Sequence, residues 1–163
     1  MDIRPATDSD LAAINAIYND AVLNTVATFD TEPKTMAERR AWFAAHGGRH
    51  PVVVAEREGR VVGWASLSHW NARGAYADSV EVSVYVEAAE RGRGVGRRLL
   101  EEIVEAGRGA GLHAVIAQIV GDNAVSIHLH ESIGFERVGV LKEVGRKFGR
   151  LLDVLIMERI YDD

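Results

Sequence analysis

Residues 80–100 read VEVSVYVEAAERGRGVGRRLL. Two periodicities meet in this stretch. From Val80 to Val86 the pattern alternates, so Val80, Val82, Val84 and Val86 share one strand face and Glu81, Ser83 and Tyr85 the other. From Gly94 to Arg108, Val95, Leu99, Leu100, Ile103 and Val104 recur at helical spacing. Between them lie Glu87-Ala88-Ala89-Glu90 and then Arg91-Gly92-Arg93-Gly94-Val95-Gly96. A strand therefore passes through glycines straight into a helix. Glycine takes positive φ and lets a backbone approach an anion closely. A helix N-terminus presents free N–H groups and a positive dipole end. Arg91, Arg93, Arg97 and Arg98 add charge at the same place. The combination predicts a pyrophosphate cradle. It is not a Walker A loop, because no Gly-Lys-Ser/Thr follows. Nor is it a Rossmann fingerprint: Arg97 stands where the third glycine, counted from Gly92, is needed, and no well-placed acidic residue follows about 20 residues on.

Working outward, mixed strands and helices flank this unit. Ile3–Pro5 reads as a strand, followed by a helix capped from Asp8, Ser9 or Asp10 and carrying Leu11, Ile14, Ile17, Tyr18 and Ala21. Leu23–Lys34 reads as a loop in which Phe29 either plugs a core edge or faces a substrate. Thr35-Met36-Ala37-Glu38 has capping-box spacing and opens a helix with Met36, Arg39, Trp42 and Phe43. Val52–Glu56 and Val61–Ser68 form a hairpin about Glu58-Gly59. Trp70–Tyr76 reads as a loop. Ala114–Val120, a nearly unbroken apolar run, reads as a strand buried on both faces. Asn123–Ile133 is helical. Phe135–Leu141 and Leu152–Arg159 read as closing strands around a hairpin loop, Lys142–Leu152. The expectation is one α/β domain over residues 1–163, with a central mixed sheet flanked by helices.

Composition narrows the function classes. The 163 residues carry 19 Lys+Arg against 24 Asp+Glu, a formal charge of −5, and no cysteine. An acidic balance disfavours bulk electrostatic binding to nucleic acid. Zero cysteine removes disulfides, thiolate metal sites and a cysteine nucleophile, and fits a reducing compartment. The histidines lack ligand spacing; His128 and His130, two apart, point to different sides of a helix. No metal is expected. No stretch reaches the ~20 apolar residues that span a bilayer, and no apolar leader opens the chain, so a cytoplasmic protein without membrane contact is expected.

Glu81 is the candidate base. A carboxylate flanked by valines on a buried strand is desolvated, which raises its pKa toward the range a general base needs. A strand-edge Glu paired with an arginine is the structural alternative. Asn123 and His130, seven apart, share a helix face. Asn123 caps the helix, reaches a ligand, or both.

Arg91-x-x-Gly94-x-Gly96, after a strand ending Val84-Tyr85-Val86, resembles the acetyl-CoA signature of the GCN5-related N-acetyltransferases. Asn123-Ala124-Val125-Ser126 with Leu129-His130-Glu131-Ser132-Ile133-Gly134-Phe135 is similar to that family's later motif, as is Ile3-Arg4-Pro5-Ala6-Thr7 with Asp10 to its opening. The resemblance spans essentially the whole chain. His130 stands where the family usually has a tyrosine, which rules out a tyrosine general acid. Leu129-His130-Glu131, Glu81-x-Ser83, Trp70–Tyr76 and Thr28–Pro33 resemble the phosphinothricin and methionine sulfoximine acetyltransferase group.

The resemblance implies acetyl-CoA as cosubstrate and direct acetyl transfer to the α-amine of a small amino-acid-like acceptor. Glu81 would take the ammonium proton, directly or through water. His130 would donate a proton to the leaving thiolate or act as a second base. Val84, Tyr85 and Val86 would pair with the pantetheine arm, with an N–H near Val84 polarising the acetyl carbonyl. Gly92, Arg93, Gly94, Val95, Gly96 and Arg97 would hold the pyrophosphate mainly through their backbone, so side-chain changes at Arg93 or Val95 should be tolerated better than changes at Gly94 or Gly96. Asn123 and Ser132 would reach the CoA. Phe29, Arg73, Gly74, Tyr76 and Glu81 would form the acceptor pocket. The late hairpin implies a homodimer. Other amine acceptors (a protein N-terminus, an aminoglycoside, a polyamine), a non-catalytic CoA-binding sensor and a nucleotide-binding regulator are the alternatives.

Overall fold

The computed structural model describes residues 1–162. Seven strands and four α-helices alternate along the chain: β1 (Asp2–Pro5), α1 (Leu11–Asn24), α2 (Met36–Ala44), β2 (Val52–Arg57), β3 (Arg60–His69), β4 (Ser79–Val86), α3 (Val95–Gly109), β5 (Ala114–Val120), α4 (Ala124–Ser132), β6 (Glu136–Lys147) and β7 (Arg150–Ile160). They build one sheet in the order β1-β2-β3-β4-β5-β7-β6. Every neighbouring pair is antiparallel except β4–β5. Parallel strands need a crossover, and α3 supplies it.

Local chemistry explains the elements around the site. The α2 capping box forms as its spacing predicts: the Glu38 N–H donates to Thr35 Oγ1 at 3.1 Å, and the Thr35 N–H donates to Glu38 Oε1 at 3.1 Å. The apolar stripe of α3 is wholly buried, with Val95, Leu99, Leu100, Ile103 and Val104 against Ala65, Leu67, Val80 and Val115 of the sheet. A second cluster covers the opposite face, where Leu11 and Ile14 of α1 meet Val52, Val54 and Trp64. Each face is thus closed by helices, and the sheet is a rigid floor between two cores.

Two expectations are corrected. β5 is not buried on both faces: Val115, Ala117 and Ile119 are buried, whereas Gln118 is exposed. The apolar run conceals a normal alternation, because Ala114 and Ile116 are apolar yet only half-buried. The hairpin loop Lys142–Leu152 is not a loop either. β6 runs to Lys147, β7 begins at Arg150, and only Phe148-Gly149 turn between them, both at positive φ. A bulge shifts the register between Leu141 and Gly145, with Glu143 at φ 54° and its N–H donating to Asp153 Oδ1. The extra residues break the period of two, so the polar stretch reads as loop although it is paired strand.

Candidate active site

The site begins where β4 and β5 part. Their pairing covers only Ser79–Glu81 against Ala114–Ile116. Beyond it β4 stays with β3 as far as Val86, and β5 stays with β7 as far as Val120. The edge of β4 from Val82 to Val86 therefore has no strand on its β5 side. Backbone N–H and C=O groups turned toward that gap need a partner, and an extended chain bearing amides would supply one as an added strand. The gap opens into a cavity of about 1170 Å³ whose walls include Glu81–Val86 of β4, Ala117–Val120 of β5, the glycine turn and α4.

The glycine turn closes one end. Gly92 and Gly94 have φ of 75° and 82°, and a Cβ built on either would meet nothing within 4 Å, so the requirement is conformational and not steric. Gly94 is the N-cap of α3 and makes no side-chain cap, which leaves the first-turn N–H groups of the helix facing the cavity. Gly96 is helical. A Cβ there would reach only Val86 and Leu129 at ordinary contact distance, so within the protein nothing demands glycine. Of the four arginines, Arg91 and Arg97 line the cavity. Arg93 pairs with Glu90 at 3.3 Å, and Arg98 donates to the Met1 carbonyl at 3.0 Å. The side chain of Val95 is 1% exposed and sits in the main core, so a change of size there carries a packing cost of its own. The turn is anchored through that valine while its backbone is presented to the cavity.

Glu81 stands where the strands diverge. It is half-buried, and Gln118 Nε2 of β5 donates to its Oε1 at 3.0 Å and to its Oε2 at 3.3 Å. Burial pushes the carboxyl pKa up, and the Gln118 bond partly offsets this. No arginine pairs with it among the described residues, so the strand-edge ion pair is not what this residue makes.

His130 is buried at 7% exposure, so it is not a surface histidine. Its Nδ1 lies 2.7 Å from the Ser126 carbonyl, and its ring packs edge-on against Phe135. A carbonyl only accepts, so Nδ1 carries the proton and Nε2 keeps its lone pair. Burial pushes the imidazole pKa down. This environment holds a neutral ring on the cavity wall, an acceptor first and a donor only after gaining a proton. Asn123 caps α4, its Oδ1 accepting from the Ser126 N–H at 3.1 Å, and also lines the cavity. Ser132 does not reach the cavity wall: its Oγ donates to the Leu129 carbonyl and accepts from Arg97.

The acceptor side differs most from expectation. Phe29 lines the cavity and also rests on Gly145 of β6, where any side chain would run into its ring. Arg73, Gly74 and Tyr76 are exposed and lie off the cavity wall. The turn Gly74–Tyr76 forms a short 3₁₀ helix beyond the end of β3. In their place the wall holds an aromatic cage that motif reading missed. Trp64 of β3 stacks on Tyr85 of β4 at 5.2 Å between ring centres, with Tyr18 of α1 edge-on to Tyr85 at 5.1 Å. Tyr18 donates to Asp30, and burial pushes the Tyr85 phenol pKa up to about 12, so it stays protonated at neutral pH. Arg39 of α2 lies within this cage. Gln118 and Arg39 had signals: a lone polar residue in an apolar run, and a cation on the apolar stripe of α2. No group of three or more His, Asp or Glu among the described residues is arranged to hold a metal ion.

The family model for the acetyltransferase (GNAT) domain matches residues 3–156. The chain belongs to the GNAT acetyltransferase family. It is 44% identical over 158 residues to the L-methionine sulfoximine/L-methionine sulfone acetyltransferase of Pseudomonas paraeruginosa, covering 96% of this chain and 92% of that one. A phosphinothricin acetyltransferase from Sinorhizobium meliloti, solved in complex with acetyl-CoA, superposes at a TM-score of 0.94 with 40% identity, covering 98% of this chain and 87% of the other. A ribosomal-protein-alanine N-acetyltransferase from Brucella melitensis gives 0.94 with 47% identity over 99% and 100% of the two chains. This GNAT chain is an N-acetyltransferase that uses acetyl-CoA. The residues found here fit that cosubstrate: an unpaired strand edge for an extended amide-bearing arm, and a left-handed glycine turn with a helix N-terminus for the diphosphate.

Proposed function

We propose that the enzyme acetylates the α-amine of a small amino-acid-like acceptor of the methionine sulfoximine, methionine sulfone or phosphinothricin type. The observation that carries this reading is the cavity itself. The open edge of β4 and the aromatic cage are two parts of one space, with Glu81 on its wall. An acceptor held in the cage thus shares a chamber with a thioester laid along β4. Bound acetyl-CoA supplies an activated acyl group. Glu81, its pKa raised by burial, takes the proton from the acceptor ammonium directly or through one water. Gln118 holds the carboxylate in place. A backbone N–H of the open edge near Val84 stabilises the charge that develops on the acetyl oxygen. His130, neutral with a free Nε2, serves as a second proton acceptor on the wall and returns that proton to the thiolate. Gly92, Gly94, Val95 and Gly96 offer N–H groups to the diphosphate, with Arg97 beside them and Asn123 reaching the arm.

The likeness to the Brucella ribosomal-protein-alanine N-acetyltransferase supports a second reading, a protein N-terminal residue as acceptor. The aromatic rings of Tyr18, Trp42, Trp64 and Tyr85 on the cavity wall, with Arg39 among them, favour the smaller acceptor.

We further propose a cytoplasmic homodimer of single-domain chains, residues 1–163. β6 is one of the two edge strands of the sheet and exposes Val138, Val140 and Val144, joined by Phe148 and Leu151. A long apolar edge strand is a liability unless it is covered, and a second copy would cover it. Among the described residues no helix is long and apolar enough to cross a membrane.

The test is thiol release from acetyl-CoA across a panel: methionine sulfoximine, methionine sulfone, phosphinothricin, simple polyamines and an alanine-initiated peptide. The amino-acid analogues should show the highest kcat/KM. Release no faster than hydrolysis with all three would overturn the reading, and a preference for the peptide would establish the second one.

A further inference from the structure

Arg39 is the anomaly of the site. It is 4% exposed, and its guanidinium carbon lies 4.9 Å from the Tyr18 ring centre, 4.7 Å from that of Trp42 and 5.6 Å from that of Trp64. Its Nε donates to Asn15 Oδ1 at 3.1 Å. No carboxylate pairs with it among the described residues, and the nearby Asp30 and Glu38 lie instead beside Lys34, at 3.8 and 4.0 Å. Elsewhere the chain matches its arginines well: Arg4 meets Asp10 and Glu56, Arg57 meets Glu90, and Arg60 meets Glu87. A buried charge without a counter-charge is costly. Ring faces compensate part of that cost, but they accept no hydrogen bond of full strength from the guanidinium ends. Trp64 is a second unmatched donor. Its indole Nε1 is buried with no hydrogen-bond partner. Both residues line the cavity that also holds Glu81. The acceptor side of the chamber therefore holds a guanidinium whose terminal nitrogens form no ion pair among the described residues, although Asp30 and Glu38 also line the cavity, and an indole N–H without a partner.

We infer that Arg39, assisted by the Trp64 indole N–H, recognises an oxygen-bearing acid or oxo group of the acceptor and so sets acceptor specificity. This rests on the amino-acid reading of the acceptor. Two parts of such a molecule carry the required chemistry: the α-carboxylate, and the oxygens on the side-chain sulfur or phosphorus. An arginine fork suits either, and the faces of Tyr18, Trp42 and Trp64 keep water away from the pair. The role is recognition. The proton-transfer steps stay with Glu81 and His130.

The experiment compares wild type with Arg39→Gln, Arg39→Lys and Trp64→Phe on three acceptors: methionine sulfone, its α-carboxamide, and methionine. Acetyl-CoA affinity is measured alongside by calorimetry. In Arg39→Gln, KM for methionine sulfone should rise about 10- to 100-fold with kcat and acetyl-CoA affinity little changed. The discrimination should collapse for one pair only. Loss of the preference for the sulfone over its carboxamide places the α-carboxylate at Arg39. Loss of the preference for the sulfone over methionine places the side-chain oxygens there. Arg39→Lys should restore part of the effect. Trp64→Phe, which keeps a ring and removes the N–H, should lose the same discrimination to a smaller degree; if Arg39→Gln fails to fold, an unchanged Trp64→Phe profile refutes the proposal. An equal loss on all three acceptors, or no loss, also refutes it and leaves the amino-acid reading standing. Wild type that acetylates none of the three refutes both.

Discussion

Glu81 and Gln118 show how two side chains set a pH profile. Burial raises the Glu81 pKa, and the hydrogen bonds from Gln118 hold it back by favouring the charged form. A base must be deprotonated to act, so kcat/KM should rise with pH through the Glu81 pKa. Gln118→Leu removes the stabilising donor and leaves the burial. The acidic limb should therefore move to higher pH, with little change in the plateau above it. A pH–rate profile of the variant against wild type checks this, and a limb that stays in place or moves to lower pH would remove Gln118 from the role. Glu81 was legible as a candidate because a carboxylate interrupts a valine strand. Its partner was not, because pairing across β4 and β5 depends on where two strands diverge, which no local pattern encodes.

At the scale of an element, the glycine turn and α3 separate two demands that sequence alone merges. Gly94 needs positive φ, whereas Gly96 is helical and has room for a methyl group. Gly94→Ala should cost about 1–2 kcal/mol through left-handed strain, lowering Tm by roughly 2–8 °C, and should weaken acetyl-CoA. Gly96→Ala should leave Tm unchanged or raise it, since alanine favours helix by up to about 1 kcal/mol. It should still weaken acetyl-CoA, because its methyl group occupies the approach to the backbone. Thermal melts with and without acetyl-CoA separate the two. Equal loss of stability in both variants would show that Gly96 is structural. The turn was legible from Arg91–Gly96, and the burial of Val95 was legible too from its place on the apolar stripe with Leu99, Leu100, Ile103 and Val104. The late hairpin was misread because its bulge at Leu141–Gly145 breaks the alternation from which strands are recognised.

Across the whole molecule, the sheet ends in two edge strands, β1 and β6. β1 ends it beside β2, while β6 exposes valines at its outer edge. Val140→Asp should convert a dimer into a monomer in sedimentation velocity without unfolding the chain, since Val140 is half exposed already. A wild-type monomer would contradict the assembly. The fold class and most of the order of elements followed from periodicity, and the glycine turn lies on the cavity as its pattern suggested, whereas the acetyl-CoA reading came from the resemblance. The acceptor end followed from neither. It is assembled from Tyr18, Arg39, Trp64 and Tyr85, contributed by four elements far apart in sequence, so only the folded chain brings the cage together. The exposed turn carrying Arg73 and Tyr76 was chosen on resemblance, and these residues are not among those that line the cavity.

The central claim is direct acetyl transfer with Glu81 as the base, and Glu81→Gln tests it most directly, because the amide keeps the shape and removes the basicity. The measurement is kcat with methionine sulfone together with the acetyl-CoA dissociation constant, at a pH where wild type is fully active. Expected is a fall in kcat of about 10²- to 10³-fold, with acetyl-CoA affinity within about twofold of wild type. An unchanged kcat would contradict the claim.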